Sequence, residues 1–391
     1  MNNTSSPSKL LLIVAILAIA FNLRPALSGI GPLAESIGID LDLSGASLGL
    51  LTTLPLLAFA VISMLTPLFT KNFGVGKTLL GALAILSLGI ILRSVFGIVG
   101  LYVGTLLIGI GIAFGNVLLP ALTKQNFPDR AGAITSLYGS LMAIGAALAA
   151  GISVPLAEDY GWGWRGALVI WAATSLLAFI IWSFQVKHLK KTKPRRDFME
   201  ALKKLSSVRL VWKMAIYMGL QSMVFYVILA WLPTILIEDD YSSSYSGWML
   251  SLSQATGILG SIVIPLWAGK RKDQRLIIGV LVFLEIISLI GLMFPSLGLV
   301  PLWVSIIGFV LGGTFGLALL LIILRSSDSD TAAELSGIVQ SIGYLIAATG
   351  PFFIGIIFDL SGEWNYALLA LIAVALIKLY VGMGAGKQET I

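Results

Sequence analysis

Twelve apolar runs, each about the 20 residues a helix needs to cross the hydrocarbon core, occupy most of this 391-residue chain. They fall at 10–32, 46–69, 78–97, 99–122, 132–157, 164–185, 211–236, 246–268, 276–295, 299–324, 333–358 and 365–385. Backbone N–H and C=O groups cannot stay unpaired in lipid, so only helices or a closed barrel can span it. Barrel strands would read as alternating segments of about ten residues, and these runs do not alternate. Helices are therefore expected. Only 11% of residues are charged, against about 25% in a soluble domain.

Several chemistries are excluded at once. The chain has no cysteine and one histidine, His188, in a basic loop. A disulfide, a thiolate nucleophile and a sulfur- or histidine-based metal cluster have no residues to build them. No paired carboxylates or nucleophile–base set stands in the spans, so we expect no enzyme activity, cofactor or metal. Residues 9–20 mimic a signal peptide, but the apolar run continues through Phe21 to Arg24–Pro25 without a small-residue cleavage site. We read it as a retained first span.

Lysine and arginine placement orients the spans. With the N-terminus inside, the cytoplasmic set is Lys9, Lys71, Lys77, Lys124, Arg130, the cluster from Lys187 to Lys213, Lys270, Arg271, Lys272, Arg275, Arg325 and Lys387. The outer loops hold Glu35, Asp40, Asp42, Glu158, Asp159, Glu238, Asp239, Asp240 and Glu363, with Arg165 the one basic residue there. Both termini are thus expected in the cytoplasm of a bacterial cell, with the chain in the cytoplasmic (inner) membrane. The net charge of +6 is mostly a topology signal. The basic cluster reads as a solvated linker near anionic headgroups, and no nucleic-acid partner is expected. The bilayer and a small-molecule solute are, with the chain acting as a monomer.

The same cluster divides the chain into residues 1–186, a linker at 187–210 and residues 211–391. The halves echo each other: Phe114–Gly115 recurs as Phe315–Gly316, Pro67–Leu68 as Pro265–Leu266, and Pro32 as Pro233. The offsets are 201, 198 and 201 residues. A duplicated six-helix unit is the architecture in which two bundles rock about a site at mid-depth. Gly109, Gly111 and Gly115 in the fourth span, and Gly308, Gly312 and Gly316 in the tenth, are spaced for close helix approach.

Charges inside hydrocarbon are costly, and each needs an account. Four fall within the spans: Arg24, Arg93, Glu285 and Lys378. Arg93, near the outer end of the third span, is expected to snorkel to headgroups. Glu285 lies near the middle of the ninth span and Lys378 somewhat inside the middle of the twelfth; with these spans as neighbours in the fold implied below, a structural ion pair is expected, with a proton-carrying Glu285 as the alternative. Arg24 sits near mid-depth of the first span with no carboxylate at similar depth in a facing helix. Its guanidinium is always charged and carries five donors. Backbone carbonyls, water or a transient anion could satisfy it; substrate binding and a purely structural role are the two readings, and uncompensated charge favours the first. Pro25 removes a donor and frees a carbonyl one turn back. Ser28 follows Arg24 by one turn, whereas Asn22 points about 160° away on a regular helix and reads as an interhelical hydrogen bond. Asn116, Tyr217, Gln221, Gln254, Gln340 and Tyr344 cluster near mid-depth as neutral groups that could complete an anion shell. Each amide could equally join helices, and each tyrosine could simply pack.

These residues carry a family resemblance. The run Asn22-x-Arg24-Pro25-Ala26-Leu27 to Gly31-Pro32-Leu33 resembles the start of the cyanate and 2-nitroimidazole transporter family of the major facilitator superfamily. So do Leu51 to Pro55, Gly109 to Pro120, Ala230 to Pro233, Tyr245 to Gly247, Leu311 to Phe315 and Gln340 to Tyr344. The resemblance implies an all-α membrane protein of twelve transmembrane helices in two six-helix bundles. Spans 1, 4, 7 and 10 would line a central cavity and spans 3, 6, 9 and 12 would lie outermost. It implies small, planar, often anionic or polar nitrogen compounds as substrates. Two departures stand out. The loop Lys71-Asn72-Phe73-Gly74-Val75-Gly76-Lys77 has none of the aspartate usual there in the superfamily, and the glycine–proline pair of drug antiporters' fifth span occurs instead as Gly350-Pro351 in the eleventh.

The expected function is secondary transport of a small anionic or polar planar solute by alternating access, anchored at Arg24. Facilitated diffusion, or a proton carried on the substrate, suits the lack of a carboxylate in the cavity-lining spans. An exporter of neutral aromatic drugs such as nitroimidazoles is the alternative. A non-transporting membrane receptor ranks below both, since no soluble signalling domain is attached.

Overall fold

The structure is a computed structural model and describes residues 9–127, 131–186, 205, 207–294, 298–326 and 329–389. Most of the 187–210 linker, His188 included, and Arg130 lie outside the described residues. Twelve described helical stretches are long and apolar enough to span: Lys9–Leu41, Gly45–Thr66, Leu68–Val95, Gly97–Pro120, Leu137–Ala157, Gly163–Ser183, Arg209–Glu238, Ser243–Ala268, Arg275–Leu292, Val300–Leu324, Leu335–Ser361 and Trp364–Ala385. We number them spans 1 to 12. Their junctions alternate between two ends of the molecule. One end carries Asp42, Glu158, Asp239, Asp240 and Glu363 and is called the acidic end; the opposite one is the basic end.

Two sequence boundaries shift. Span 1 runs on to Leu41 as a broken helix rather than ending at Pro32: Lys9–Asn22, Pro25–Ser28, a 3-10 turn Gly31–Leu33, then Ala34–Leu41. Spans 2 and 3 have no loop between them. One helical path runs Gly45–Val95, interrupted at Gly74 with φ 78° and ψ 160°. A single glycine in a conformation closed to other residues replaces the expected seven-residue loop, and the Trp182 indole ties it to span 6 by donating to the Gly76 carbonyl at 2.9 Å.

The two halves share local features. Ser44 caps the start of span 2 and Ser242 the start of span 8, each side chain accepting the N–H three residues on. Span 4 packs on spans 2 and 3, and span 10 packs on span 8. At Gly312 any side chain would run into the Gly257 backbone, so the spacing of small residues sets how closely those helices approach.

Spans 2 and 11, and 5 and 8, join the bundles. At the acidic end the Asp359 carboxylate accepts from the N–H groups of Gly45 and Ala46, both at 2.8 Å. A side chain at Gly45 would meet Asp359 Oδ1 at 2.7 Å. Deeper, Thr53 Oγ1 donates to the Ala348 carbonyl at 2.8 Å. The acidic half of the bundle interface is therefore closed down to about mid-depth, where Arg24 lies.

Candidate substrate-binding site

The break in span 1 begins with Pro25, which cannot donate to the Phe21 carbonyl. Leu23 N turns back to Ala20 O at 3.1 Å, and Arg24 leaves helical geometry with φ −124° and ψ −40°. The end of the first helix is pinned by Asn22. Its Nδ2 donates to the Thr174 carbonyl at 3.1 Å, and Thr174 Oγ1 donates back to its Oδ1 at 2.7 Å. Asn22 thus joins span 1 to span 6, away from Arg24.

Arg24, half-buried, reaches across the bundle interface to span 7. Its Nη1 donates to the Tyr226 hydroxyl at 3.5 Å, and its guanidinium carbon lies 5.7 Å from the Phe225 ring centre. A long hydrogen bond and an aromatic face at that range are weak partners. Among the described residues no carboxylate pairs with it. Tyr344, from span 11, lies within electrostatic reach of both Arg24 and Tyr226, and Phe59 of span 2 meets the Tyr344 ring edge-on at 5.5 Å. The cation thus lies against Phe225 and Tyr226 with Tyr344 nearby, and Phe59 of the other bundle backs the Tyr344 ring.

Of the residues singled out from the sequence, the structure brings Tyr344 to Arg24. It places Tyr217 elsewhere: fully buried against Gly382 of span 12 and beside Glu285. Ser28 is buried with no partner for its hydroxyl. Gln221 is fully buried and bonds Ser222 Oγ at 2.6 Å within its own helix. Gln340 bonds Ser336 Oγ at 2.7 Å, also within its own helix. Asn116 and Gln254 are half-buried on spans 4 and 8. Glu285 and Lys378 are both completely buried, and Lys378 Nζ donates to Glu285 Oε2.

Arg93 departs from expectation. It does not reach headgroups but is completely buried, with Nη1 donating to the Ala26 carbonyl at 2.6 Å. The reason is the face it occupies. Leu79, Leu83, Leu86 and Ile90 form a buried stripe at helical spacing, and Arg93 continues it.

Sequence reasoning missed Phe59, Phe225 and Tyr226, because aromatic residues in apolar helices are ordinary. One signal did point to span 7: the 201-residue repeat offset carries Arg24 onto Phe225.

The comparisons with known proteins agree on what this architecture is. Residues 10–351 match the model of the Major Facilitator Superfamily. An uncharacterized transporter of Bacillus subtilis (strain 168), YycB, is 42% identical over 97% of this chain and 94% of its own length. The 2-nitroimidazole transporter of Escherichia coli (strain K12) is 37% identical over 99% of this chain and 98% of its own. The cyanate transport protein CynX of the same strain is 25% identical, covering 94% and 96%. Among solved structures, a D-xylose-proton symporter superposes with a TM-score of 0.80 at 14% identity, over 99% of this chain and 100% of that one. The chain is a multi-pass membrane transporter, not an enzyme, and belongs to the Major Facilitator Superfamily, within its cyanate and 2-nitroimidazole transporter family.

Proposed function

We propose that the protein carries small planar solutes with delocalised negative charge or a strongly polar nitro group, bound at Arg24 and passed between the two bundles by alternating access. The observation that carries this reading is Arg24 itself. It is a permanent cation at mid-depth that faces the opposite bundle, and among the described residues its partners are weak, the Tyr226 hydroxyl and the Phe225 ring, with no carboxylate paired to it. Such a charge selects the sign of the solute before shape acts. The rings of Phe225, Tyr226, Tyr344 and Phe59 then favour a flat body that can lie against π faces. Cyanate and 2-nitroimidazole, named for two relatives, share a small delocalised polar group. Asn116, Gln254 and Gln340, half-buried on spans 4, 8 and 11, are proposed to complete the shell, with the unpartnered Ser28 hydroxyl one turn beyond Arg24 as a further donor.

Basic residues put the basic end in the cytoplasm, with the protein in the cytoplasmic membrane. The closed acidic half, latched by Asp359 and Thr53, then corresponds to a state shut toward the outside. Transport needs those contacts to part while the basic half closes. The Glu285–Lys378 pair serves the C-terminal bundle as a structural link.

A second reading, export of a neutral aromatic compound, draws on the rings of Phe225, Tyr226 and Tyr344 near Arg24. A thermal-shift screen of cyanate, nitrite, 4-hydroxybenzoate and 2-nitroimidazole separates the two. Anions that stabilise the wild type but not Arg24→Ala support the anchor. Stabilisation of both proteins by the neutral nitroimidazole alone would favour the second.

A further inference from the structure

We propose that Arg93 is a positioning residue for Arg24, acting through the Ala26 carbonyl to hold the broken turn of span 1 in place. The inference rests on the Arg24 reading for its functional meaning. The segment from Arg24 to Ser28 is one short turn: the Arg24 carbonyl accepts from Leu27 N and Ser28 N, both at 3.0 Å. After Gly29 N, which donates to the Pro25 carbonyl at 3.1 Å, the turn ends, because Ile30 N goes to the Leu27 carbonyl at 3.3 Å instead of to Ala26. A carbonyl left at a helix end needs another donor, and Arg93 Nη1 supplies it at 2.6 Å.

Two further features make this contact consequential. Arg93 is fully buried, and its Nε and Nη2 have no partner. A buried guanidinium so poorly satisfied is expensive, and an apolar side chain would fill the space at lower cost. Packing alone therefore does not account for an arginine here. Its backbone is also held in place: a side chain at Gly104 of span 4 would lie 2.5 Å from Arg93 N, so span 4 presses directly on it. The rigid pair of spans 3 and 4 thus sets the place of Arg93, Arg93 sets the place of Ala26, and Ala26 lies two residues beyond Arg24 in the same turn.

The chain's lack of native cysteine makes the test direct. R24C is labelled with a small water-soluble methanethiosulfonate in detergent, alone and with R93M, R93K or R93L. We expect R93M to shift the labelling rate at least fivefold, and R93K, which keeps a donor for the Ala26 carbonyl, to stay within twofold. T314C, completely buried in span 10, should label equally slowly in every background. Equal R24C rates across the series overturn the inference, as does a parallel rise at T314C, which would mark general loosening. Should R93M fail to purify as a folded protein, R93L, which also lacks a donor, is read by the same criteria. Normal transport by R24A would remove the Arg24 reading and leave this result standing; equal labelling rates would do the reverse.

Discussion

Glu285 and Lys378 form an ion pair with both side chains completely buried, and the consequence of breaking it can be worked through. Glu285→Gln keeps the shape but leaves the Lys378 ammonium without a countercharge in hydrocarbon. Glu285 Oε1 already lacks a partner, and so does the adjacent Tyr217 hydroxyl; a neutral amide or phenol oxygen can accept from the ammonium but supplies no countercharge. Removing one member of a buried pair costs about 3–5 kcal/mol, which is about two to three and a half powers of ten in the folding equilibrium. Replacing both by apolar residues of similar size, as in Glu285→Leu with Lys378→Met, removes two desolvation penalties together. That variant is expected to match the wild type or exceed it by about 1–4 kcal/mol. The charge swap Glu285→Lys with Lys378→Glu should recover most of what either single change loses. Thermal unfolding of purified protein, followed by tryptophan fluorescence, reads all three beside the wild type and the single variants. E285Q as stable as wild type, or an apolar pair less stable than either single variant, would refute the reasoning. Proteoliposome flux by the apolar pair separates a structural pair, where it persists, from a proton-carrying Glu285, where it is lost.

Two other outcomes follow from the acidic end. Asp359→Ala removes two hydrogen bonds to an ionised acceptor, each worth about 1.5–3 kcal/mol when shielded and less at this exposed site. The bundles should part more readily there, so that T53C reacts several-fold faster with a water-soluble maleimide; an unchanged rate would show that Asp359 is no latch. Asp239 is pushed above the ordinary carboxylate value first by partial burial, then by Glu238 and Asp240. A raised value in the folded state means its contribution is most favourable while protonated and is lost as pH rises through that value. Asp239→Asn should therefore raise thermal stability at pH 7, with the gain disappearing below the unperturbed value of 3.8; a gain that persists in acid would contradict the sign.

Features that depend on one helix alone were legible in the sequence. Span number follows from apolar length, and the break at Arg24–Pro25 from proline's missing donor. Asn22, read as an interhelical bond from its angular offset, bonds Thr174. Features that depend on how helices turn against each other were harder. Arg93 was read by its depth, whereas its rotation, set by the stripe at Leu79, Leu83, Leu86 and Ile90, buries it. Tyr217 was grouped with Gln221 by one-turn spacing, yet its ring faces Gly382 and its hydroxyl Glu285. Phe59 and Tyr226 carry no signal as single residues, and only the packing of one bundle on the other brings Tyr226 to Arg24 and Phe59 to Tyr344. Asp359 meets Gly45 across 314 residues of chain, and no local pattern announces such a contact.

The central claim is that Arg24 binds the transported solute. Counterflow in proteoliposomes, run with labelled cyanate, nitrite, 4-hydroxybenzoate and 2-nitroimidazole, tests it with wild type beside Arg24→Gln and Arg24→Lys. The account predicts transport of at least one delocalised polar solute by the wild type, its loss in R24Q, and marked impairment in R24K, whose compact ammonium cannot make the bidentate contacts of a guanidinium. Near-normal transport by R24Q would contradict it.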